Sequence, residues 1–265
     1  MNVDQFFDNL GKKVVGFFEN MGGFSIFFMK TNYHSFRFSF RYRQMIYHLE
    51  KIGVNSVPII TLSSFTIGMI FSLQLTHILR IFSAESLGGA SVALAMAREG
   101  APVMTALMLV GKNGSAMTAE IGSMKVTEQI DALKIMAVDP HSFLVTPRIV
   151  ACMLSFPVLT AYANLIGLLG SYTVSTYLLG VDPAGFMGNV YFFVDPDDVY
   201  TGMIKAFVFG YIVALICCYF GFATEKGAKG VGKATTTAVV VASVAVLMAD
   251  YVMADILLNL VILAY

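Results

Sequence analysis

The chain has 265 residues, of which 57% are hydrophobic and only 13% are charged, and its mean hydropathy is +0.74. A soluble domain carries roughly 45–50% apolar and 25% charged residues, so this composition excludes a water-soluble globular protein and indicates a membrane protein. Seventeen acidic residues balance seventeen Lys and Arg, which leaves no excess positive charge to attract a nucleic acid.

Residues 1–51 are predicted to form an N-terminal region of amphipathic, interfacial helices. Up to residue 21 the apolar positions recur every three or four residues with charges mostly between them, which predicts a helix lying on the membrane surface. These positions are Phe6, Leu10, Val14, Phe17 and Met21. From Phe36 to Lys51, aromatic residues lie between basic ones. This segment fits either a second interfacial helix facing lipid headgroups or an ordinary cytoplasmic connector.

Residues 52–265 are predicted to form a transmembrane permease domain with about five spans. A hydrocarbon core needs about 20 apolar residues per helix, and five stretches reach that length. They lie near 57–80, 90–111, 149–179, 203–223 and 235–263. The predicted fold class is therefore an all-α polytopic membrane protein with interfacial helices before the first span.

The orientation follows from the distribution of basic residues. Fourteen of the seventeen Lys and Arg lie in the N-terminal region, in the 111–148 segment or in the 225–233 loop, all on one side of the predicted spans. The 180–200 loop on the other side has four Asp and no Lys or Arg. Because basic loops stay in the cytoplasm, we expect a cytoplasmic N-terminus and a periplasmic C-terminus.

The first span carries an apolar stripe near its predicted outward end. Phe71, Leu75, Ile78 and Phe82 follow spacings of three and four and so share one helical face. Most such stripes face lipid or another helix.

Five charged residues lie in the later spans: Arg98 and Glu99 interrupt the second, Lys205 opens the fourth, and Asp250 and Asp255 lie within the fifth. A charge at a helix centre costs at least about 2.5–3.5 kcal/mol on insertion scales, so each should face a partner or a wet cavity. The two interpretations are structural pairing, for instance Arg98 with Asp250, and a role in binding or conducting a substrate.

The most distinctive segment follows the second span. Gly111 to Gly122 reads Gly-Lys-Asn-Gly-Ser-Ala-Met-Thr-Ala-Glu-Ile-Gly, and its small residues allow close helix packing. A short cytoplasmic helix is predicted next, with Thr127 as its N-cap and Pro140 limiting it downstream. Ile130, Leu133 and Lys134 are spaced to give this helix an exposed, partly apolar face. It could be a simple turn or a knob that fits a partner's socket.

These motifs resemble the MlaE/YrbE permeases of ABC transporters associated with MCE proteins. The resemblance rests on the Gly111 to Gly122 stretch, the block from Glu128 to Leu133, Asp139-Pro140, Pro147-Arg148 and Ala97-Arg98-Glu99, and it covers the chain from about residue 36 onward. Lys112 stands where family members often carry Arg. The lysine keeps the charge but lacks the planar fork of the guanidinium.

The resemblance implies a homodimeric permease in a bacterial inner membrane that moves phospholipid or a related lipid to or from a periplasmic MCE protein. A separate cytoplasmic ATPase would drive it with ATP and Mg²⁺. A small cytoplasmic regulatory subunit is a further partner that the resemblance implies. The 112–147 region would contain the coupling helix that docks on the ATPase. Its implied coupling residues are Glu120, Glu128, Gln129, Asp131, Ala132 and Leu133. The first-span stripe and the charges within the spans would border the lipid path.

No catalytic site or cofactor is predicted in this chain. The stretch from Gly227 to Lys233 reproduces the Gly-x4-Gly-Lys core of a phosphate-binding loop, but Ala234 replaces the Ser or Thr that would hold magnesium. Cys152, Cys217 and Cys218 lie in apolar runs without metal-ligand spacing, so they are predicted to be buried hydrophobic residues.

Two rival functions remain open at this stage. A secondary transporter would use Glu99 or Asp250 to bind protons, although no inverted repeat is visible in the five spans. A membrane anchor would only tether the MCE protein.

Overall fold

The computed structural model describes residues 22–33, 42–225 and 227–264, and the regular structure within these ranges is all helical. Among these described residues, five helical stretches are long and apolar enough to cross a membrane, which confirms the all-α class and the predicted number of spans. These spans are Tyr42–Ile81, Glu85–Val126, His141–Leu178, Pro196–Phe222 and Ala228–Leu257. The amphipathic helix predicted over the first 21 residues lies outside the described residues.

Within these ranges we number the α-helices in chain order. They are α1 (22–33), α2 (Tyr42–Ile52), α3 (Val57–Ile81), α4 (Gly88–Ala95), α5 (Ala101–Leu109), α6 (Ser115–Val126), α7 (Gln129–Ile135), α8 (Thr146–Thr173), α9 (Pro183–Phe193), α10 (Pro196–Phe222) and α11 (Ala228–Ala264). Two one-turn π-helical segments join α4 to α5 and α5 to α6, and two more lie immediately before and after α8. They are Met96–Gly100, Val110–Gly114, His141–Val145 and Val174–Leu178.

The stretch Tyr42–Ile81 begins with a separate helix, α2, which ends at Ile52 before α3 begins at Val57. α2 buries His48 and Ile52 and exposes Tyr42, Ile46 and Tyr47. An apolar exposed face beside basic residues is typical of a helix lying at a membrane surface. For residues 42–51 the observation favours the interfacial helix over the ordinary cytoplasmic connector, and residues 36–41 of the predicted segment lie outside the described residues.

The second span is longer than predicted. Its helical stretch runs from Glu85 to Val126, so the motif from Gly111 to Gly122, which we expected to follow the span, continues the same helix. At 1.5 Å per residue these 42 residues extend about 63 Å, roughly twice the hydrocarbon thickness. The helix therefore projects beyond the membrane at one end or both.

Helices α8 and α10 lie at the centre of the bundle. α8 packs against α3 and α10, and α10 also packs against α6 and α11. The α3–α8 contact is built from small and hydroxyl residues, because the buried face of α3 carries Ser64, Gly68, Ser72 and Thr76. The Ser72 hydroxyl lies 2.7 Å from that of Ser175 and donates to the Ser171 carbonyl oxygen at 3.1 Å. Small residues let spanning helices approach closely enough for such hydrogen bonds.

Candidate functional site: a charged network between spans

The π-helical turn Met96–Gly100 carries Arg98 and Glu99 into the interior of the second span. Pro102, just after it, has no amide hydrogen to donate to the carbonyl of Arg98 four residues earlier, so a regular α-helix cannot continue through this point. π-helical turns widen a helix locally and occur frequently at functional sites. The local sequence thus explains why the charges sit on an irregular turn.

Gly202 brings α10 against this turn. A Cβ atom at Gly202 would overlap the carbonyl oxygen of Ala97, so any larger residue would push the two helices apart. Three residues further along α10, Lys205 then lies beside Glu99. The close approach is what permits an ion pair between helices here.

Lys205 is the centre of the charged network. It is only 1% exposed, and its Nζ donates to Glu99 Oε2 at 2.5 Å and to Asp250 Oδ1 at 3.2 Å. These contacts join the second, fourth and fifth spans. A buried ammonium is tolerated in such a place because two carboxylates compensate it.

A second ion pair extends the network toward the start of α10. Arg98 Nε donates to Asp198 Oδ1 at 2.7 Å, and Asp198 Oδ2 also accepts the backbone amide of Asp195 in a capping box. The example pairing of Arg98 with Asp250 was wrong, because Asp250 binds Lys205. Asp255 lies on the exposed surface of α11, where Asn259 donates to it at 3.4 Å.

The network has one buried and one open side. Lys205 and Asp198 are buried, whereas the side chains of Arg98 and Glu99 are 55% and 50% exposed. Arg98 and Glu99 thus keep polar atoms available at the surface of the bundle while their partners hold them in place. This arrangement can contact a zwitterionic or anionic headgroup.

The predicted first-span stripe divides into two parts. Phe71 and Leu75 are partly buried and pack against the core, while Ile78 and Phe82 are largely exposed at the end of α3. The Phe71 ring lies beside Gly100, the residue that follows Glu99. The stripe therefore begins next to the charged network.

The predicted coupling helix forms, but with different ends and faces. α7 spans Gln129–Ile135 and its N-cap is Glu128, in the left-handed conformation at a φ of 60°. Thr127 is not the N-cap; it ends α6, and its hydroxyl donates back to the Ser123 carbonyl oxygen at 2.9 Å. The Thr127 hydroxyl therefore bonds to the backbone of α6 instead of capping α7, as we had predicted from the sequence.

The exposed apolar face of α7 was also predicted at the wrong positions. Ile130 is buried and Leu133 packs against the core, whereas Ile135 and Met136 are 87% and 64% exposed. Lys134 is exposed but donates to Asp131 at 2.7 Å, and this hydrogen bond lowers the pKa of the Asp131 carboxyl below its usual value. Gln129 and Ala132 are exposed, so the accessible surface of α7 combines polar groups with two large apolar side chains at its end.

Glu120 is separated from α7 and holds other helices together. Its carboxylate accepts Lys51 Nζ from α2 and, at 3.3 Å, Arg148 Nη2 from α8. Spacing in the sequence gave no sign of these partners, which are 69 and 28 residues away. Arg148 lies in the Pro147-Arg148 motif, but its role depends on the tertiary contact.

The second π-helical turn, Val110–Gly114, contacts the residues that connect α2 to α3. The Asn113 side chain amide donates to the Ile52 carbonyl oxygen at 3.2 Å and to Ser56 Oγ at 2.9 Å, and Lys112 Nζ donates to the Asn55 carbonyl oxygen. Both residues therefore hold the junction between α2 and α3. Lys112 Nζ also donates to Ser56 Oγ at 3.4 Å, so a lysine ammonium can serve both acceptors without the planar fork of an arginine.

We expect Asn113→Ala to lower the free energy of unfolding by about 1–3 kcal/mol, because buried polar partners at the α2–α3 junction lose their hydrogen bonds. Asn189→Ala is the matched control, since Asn189 makes one exposed bond to the Ser86 carbonyl oxygen. Denaturation of both variants in detergent measures the difference. Equal stability of the two variants would contradict the fastening role of Asn113.

The described part of the chain holds no group of three or more His, Cys, Asp or Glu side chains placed to bind a metal ion. Cys152, Cys217 and Cys218 are free thiols buried in the core.

In the part of the chain that the structure describes, five spans around ion pairs that open on one side define a multi-pass membrane protein. A family model described as Permease MlaE matches residues 45–256. The chain accordingly belongs to the MlaE permease family, as the motifs indicated.

Individual relatives cover nearly the same length. A protein of Rickettsia felis named "Probable ABC transporter permease protein" is 36% identical over 94% of this chain and 96% of its own. The Haemophilus influenzae "Intermembrane phospholipid transport system permease protein MlaE" is 38% identical over 96% of this chain and 98% of its own. The chloroplastic "Protein TRIGALACTOSYLDIACYLGLYCEROL 1" of Arabidopsis thaliana is 37% identical over 81% of this chain and 61% of its own.

Proposed function

We propose that this permease moves phospholipid between the bacterial inner membrane and a periplasmic MCE protein, and that the Lys205 network lines the path. The observation that carries the proposal is that Arg98 and Glu99 are half-exposed on a turn whose next residue, Gly100, lies beside the apolar Phe71 ring. A lipid has a charged headgroup and apolar chains. A site that offers both surfaces side by side matches that chemistry.

The network supplies fixed, preorganised charges for the headgroup. Arg98 can pair with a lipid phosphate and Glu99 with a headgroup amine, while Asp198 and Lys205 hold the two side chains in position. The acyl chains would follow the stripe from Phe71 to Phe82. Because Ile78 and Phe82 are exposed, a second copy of the chain facing them would close the path, which supports the proposed homodimer.

A partner ATPase would supply the energy and would dock on α7. The Rickettsia felis relative is named a probable ABC transporter permease protein, and ABC transporters are driven by ATP hydrolysis. With the predicted orientation α7 faces the cytoplasm, where Ile135 and Met136 form an exposed apolar surface. The same orientation gives a periplasmic C-terminus, and membership of the MlaE permease family supports an inner-membrane location.

Reconstitution tests the proposed transport directly. Purified permease, with and without its ATPase, is placed in vesicles of labelled phospholipid, and lipid transfer to a soluble MCE domain is followed. ATP-dependent transfer is the expected result. Transport by the chain alone under a pH gradient would establish the proton-coupled alternative, and normal transfer after replacement of Glu99 and Asp250 would favour a mere anchor.

We expect Ile135→Asp to reduce permease-stimulated ATP hydrolysis by about tenfold, because a charge at an apolar contact costs at least 1.4 kcal/mol of binding. Ala228→Asp is the matched control; it adds the same charge on the same side of the membrane, at the N-terminus of α11, where an acidic residue is tolerated. Hydrolysis is measured in the reconstituted complex. Full stimulation by the Ile135→Asp permease would place the ATPase contact elsewhere.

A further inference from the structure

A cavity of about 460 Å³ lies between α2, α6 and the beginning of α8. It is lined by Gln44, Tyr47, His48, Glu120, Ser123, Met124, Phe143, Leu144 and Arg148. Glu99 and Glu120 lie 21 residues apart on the second span, which corresponds to about 32 Å along a helix. The cavity is therefore separate from the Lys205 network and lies at the end of the bundle that carries α7.

The charged residues in the cavity wall are Glu120 and Arg148, and Lys51 contacts Glu120 from outside the lining. Arg148 and Lys51 both contact Glu120, so two cations share one carboxylate. Arg148 is 5% exposed, and its Nη1 donates to the Leu144 carbonyl oxygen at 2.6 Å. The three side chains together carry one net positive charge, and a single phosphodiester carries the matching negative charge.

Two buried polar atoms at the cavity lack partners. Within the described ranges, neither Arg148 Nε nor Gln44 Oε1 has a hydrogen-bond partner. Burial of a polar group without a hydrogen bond costs about 1–3 kcal/mol, so such atoms indicate a site that a ligand completes. A small shift of the guanidinium would turn its Nε toward an anion.

The remaining wall is apolar and reaches the surface of the bundle. Met124 and Phe143 line the cavity, and the Tyr47 ring forms part of its rim, because it is 58% exposed. Tyr47 shares the exposed face of α2 with Tyr42 and Ile46, the face suited to a membrane surface. A ligand with a phosphate at one end and an apolar chain at the other fits both walls.

We infer that this cavity binds the phosphodiester and upper acyl chain of a glycerophospholipid from the leaflet on the α2 side of the membrane. The phosphate contacts Arg148 and Lys51, and the chain lies along Tyr47 and Phe143. This inference goes beyond the proposed transport path, which involves the Lys205 network about 32 Å away. The site would load or anchor a lipid in the leaflet opposite the periplasmic acceptor.

Photolabelling tests the site. The full chain is reconstituted in phosphatidylcholine vesicles that contain phosphatidylethanolamine with a diazirine on its acyl chain, and labelled peptides are mapped by mass spectrometry. We expect label on the peptides that contain Tyr47 and Phe143. Ser123→Phe places a ring in the cavity from an exposed position and should reduce this label about tenfold. Thr66→Phe adds the same ring to the exposed face of α3, where the native hydroxyl bonds only to Leu62, and should leave the label unchanged.

A second variant and a competitor separate the remaining explanations. Tyr47→Ala removes an exposed ring from the rim and should also reduce the label, even if Ser123→Phe does not fold. Equal label in wild type and in the folded cavity variants overturns the inference. Displacement of the lipid by millimolar inorganic phosphate would define a soluble-phosphate site and overturn the lipid assignment. Lipid transfer without label at the cavity would overturn this site and leave the proposed transport function standing.

Discussion

Lys205→Met is expected to abolish lipid transfer and to lower the free energy of unfolding by about 3 kcal/mol. Loss of the ammonium leaves Glu99 and Asp250 without a counter-charge, and breaking a buried ion pair on one side costs about 3–5 kcal/mol. The lower end applies because Glu99 is half-exposed and can reach water or headgroups. Denaturation in detergent measures the stability, and transfer to the MCE domain measures the function.

Two further variants separate the charge effect from a general loss of folding. Lys233→Met removes an ammonium whose partner is the exposed Glu225, and exposed pairs contribute about 0–1 kcal/mol, so both stability and transfer should stay near wild type. Adding Asp250→Asn to Lys205→Met should restore part of the stability but none of the transfer, since the network no longer fixes Glu99. Wild-type transfer by Lys205→Met would remove the network from the lipid path.

Gly68→Ala is expected to destabilise the bundle by about 1–3 kcal/mol, the usual cost of overpacking a close contact. A Cβ atom at Gly68 would overlap the backbone carbonyl of Gly167 on α8, and neither backbone can yield locally. The two spans would have to separate, and the Ser72 hydrogen bonds to α8 would lengthen. Thermal unfolding in detergent, together with a spin-label distance between α3 and α8, measures both effects.

Gly188→Ala is the matched control for this substitution. Gly188 lies in α9, and a Cβ atom there meets nothing within 4 Å. Alanine in an open helical position is worth about 0.5–1 kcal/mol over glycine, so this variant should be as stable as wild type or slightly more stable. Equal losses in both variants would indicate that glycine itself, rather than the close contact, determines the stability.

The charges within the spans could be found from the sequence, but their partners could not. Glu99 and Lys205 are conspicuous because each interrupts an apolar run, and the cost of burying a charge predicts that each has a partner. Their separation by 106 residues means that only helix packing selects which charges meet. The mistaken pairing of Arg98 with Asp250 arose in this way, since Asp198 was counted with the acidic loop.

At the ends of the coupling helix, local sequence signals predicted the wrong cap and the wrong exposed face. Thr127 has the residue type of an N-cap, yet the helix begins one residue later because the Thr127 hydroxyl closes the preceding helix. Ile130 has the spacing of an exposed apolar residue, but the bundle covers it. Local preferences amount to a few tenths to about one kcal/mol, and burial of a large side chain, worth about 1.5–3 kcal/mol, outweighs them.

The sequence by itself determined the fold class, the five spans and the family, because a membrane demands long apolar helices and because the 111–148 motifs are extended. Tertiary structure alone decided that Lys205 joins three spans and that Glu120 links α2 to α8 instead of lying on the α7 surface. It also decided that Ile135 and Met136 form the exposed apolar face of α7. The physical reason is that hydrophobicity acts residue by residue along the chain, whereas an ion pair or a covered face exists only after distant helices have packed.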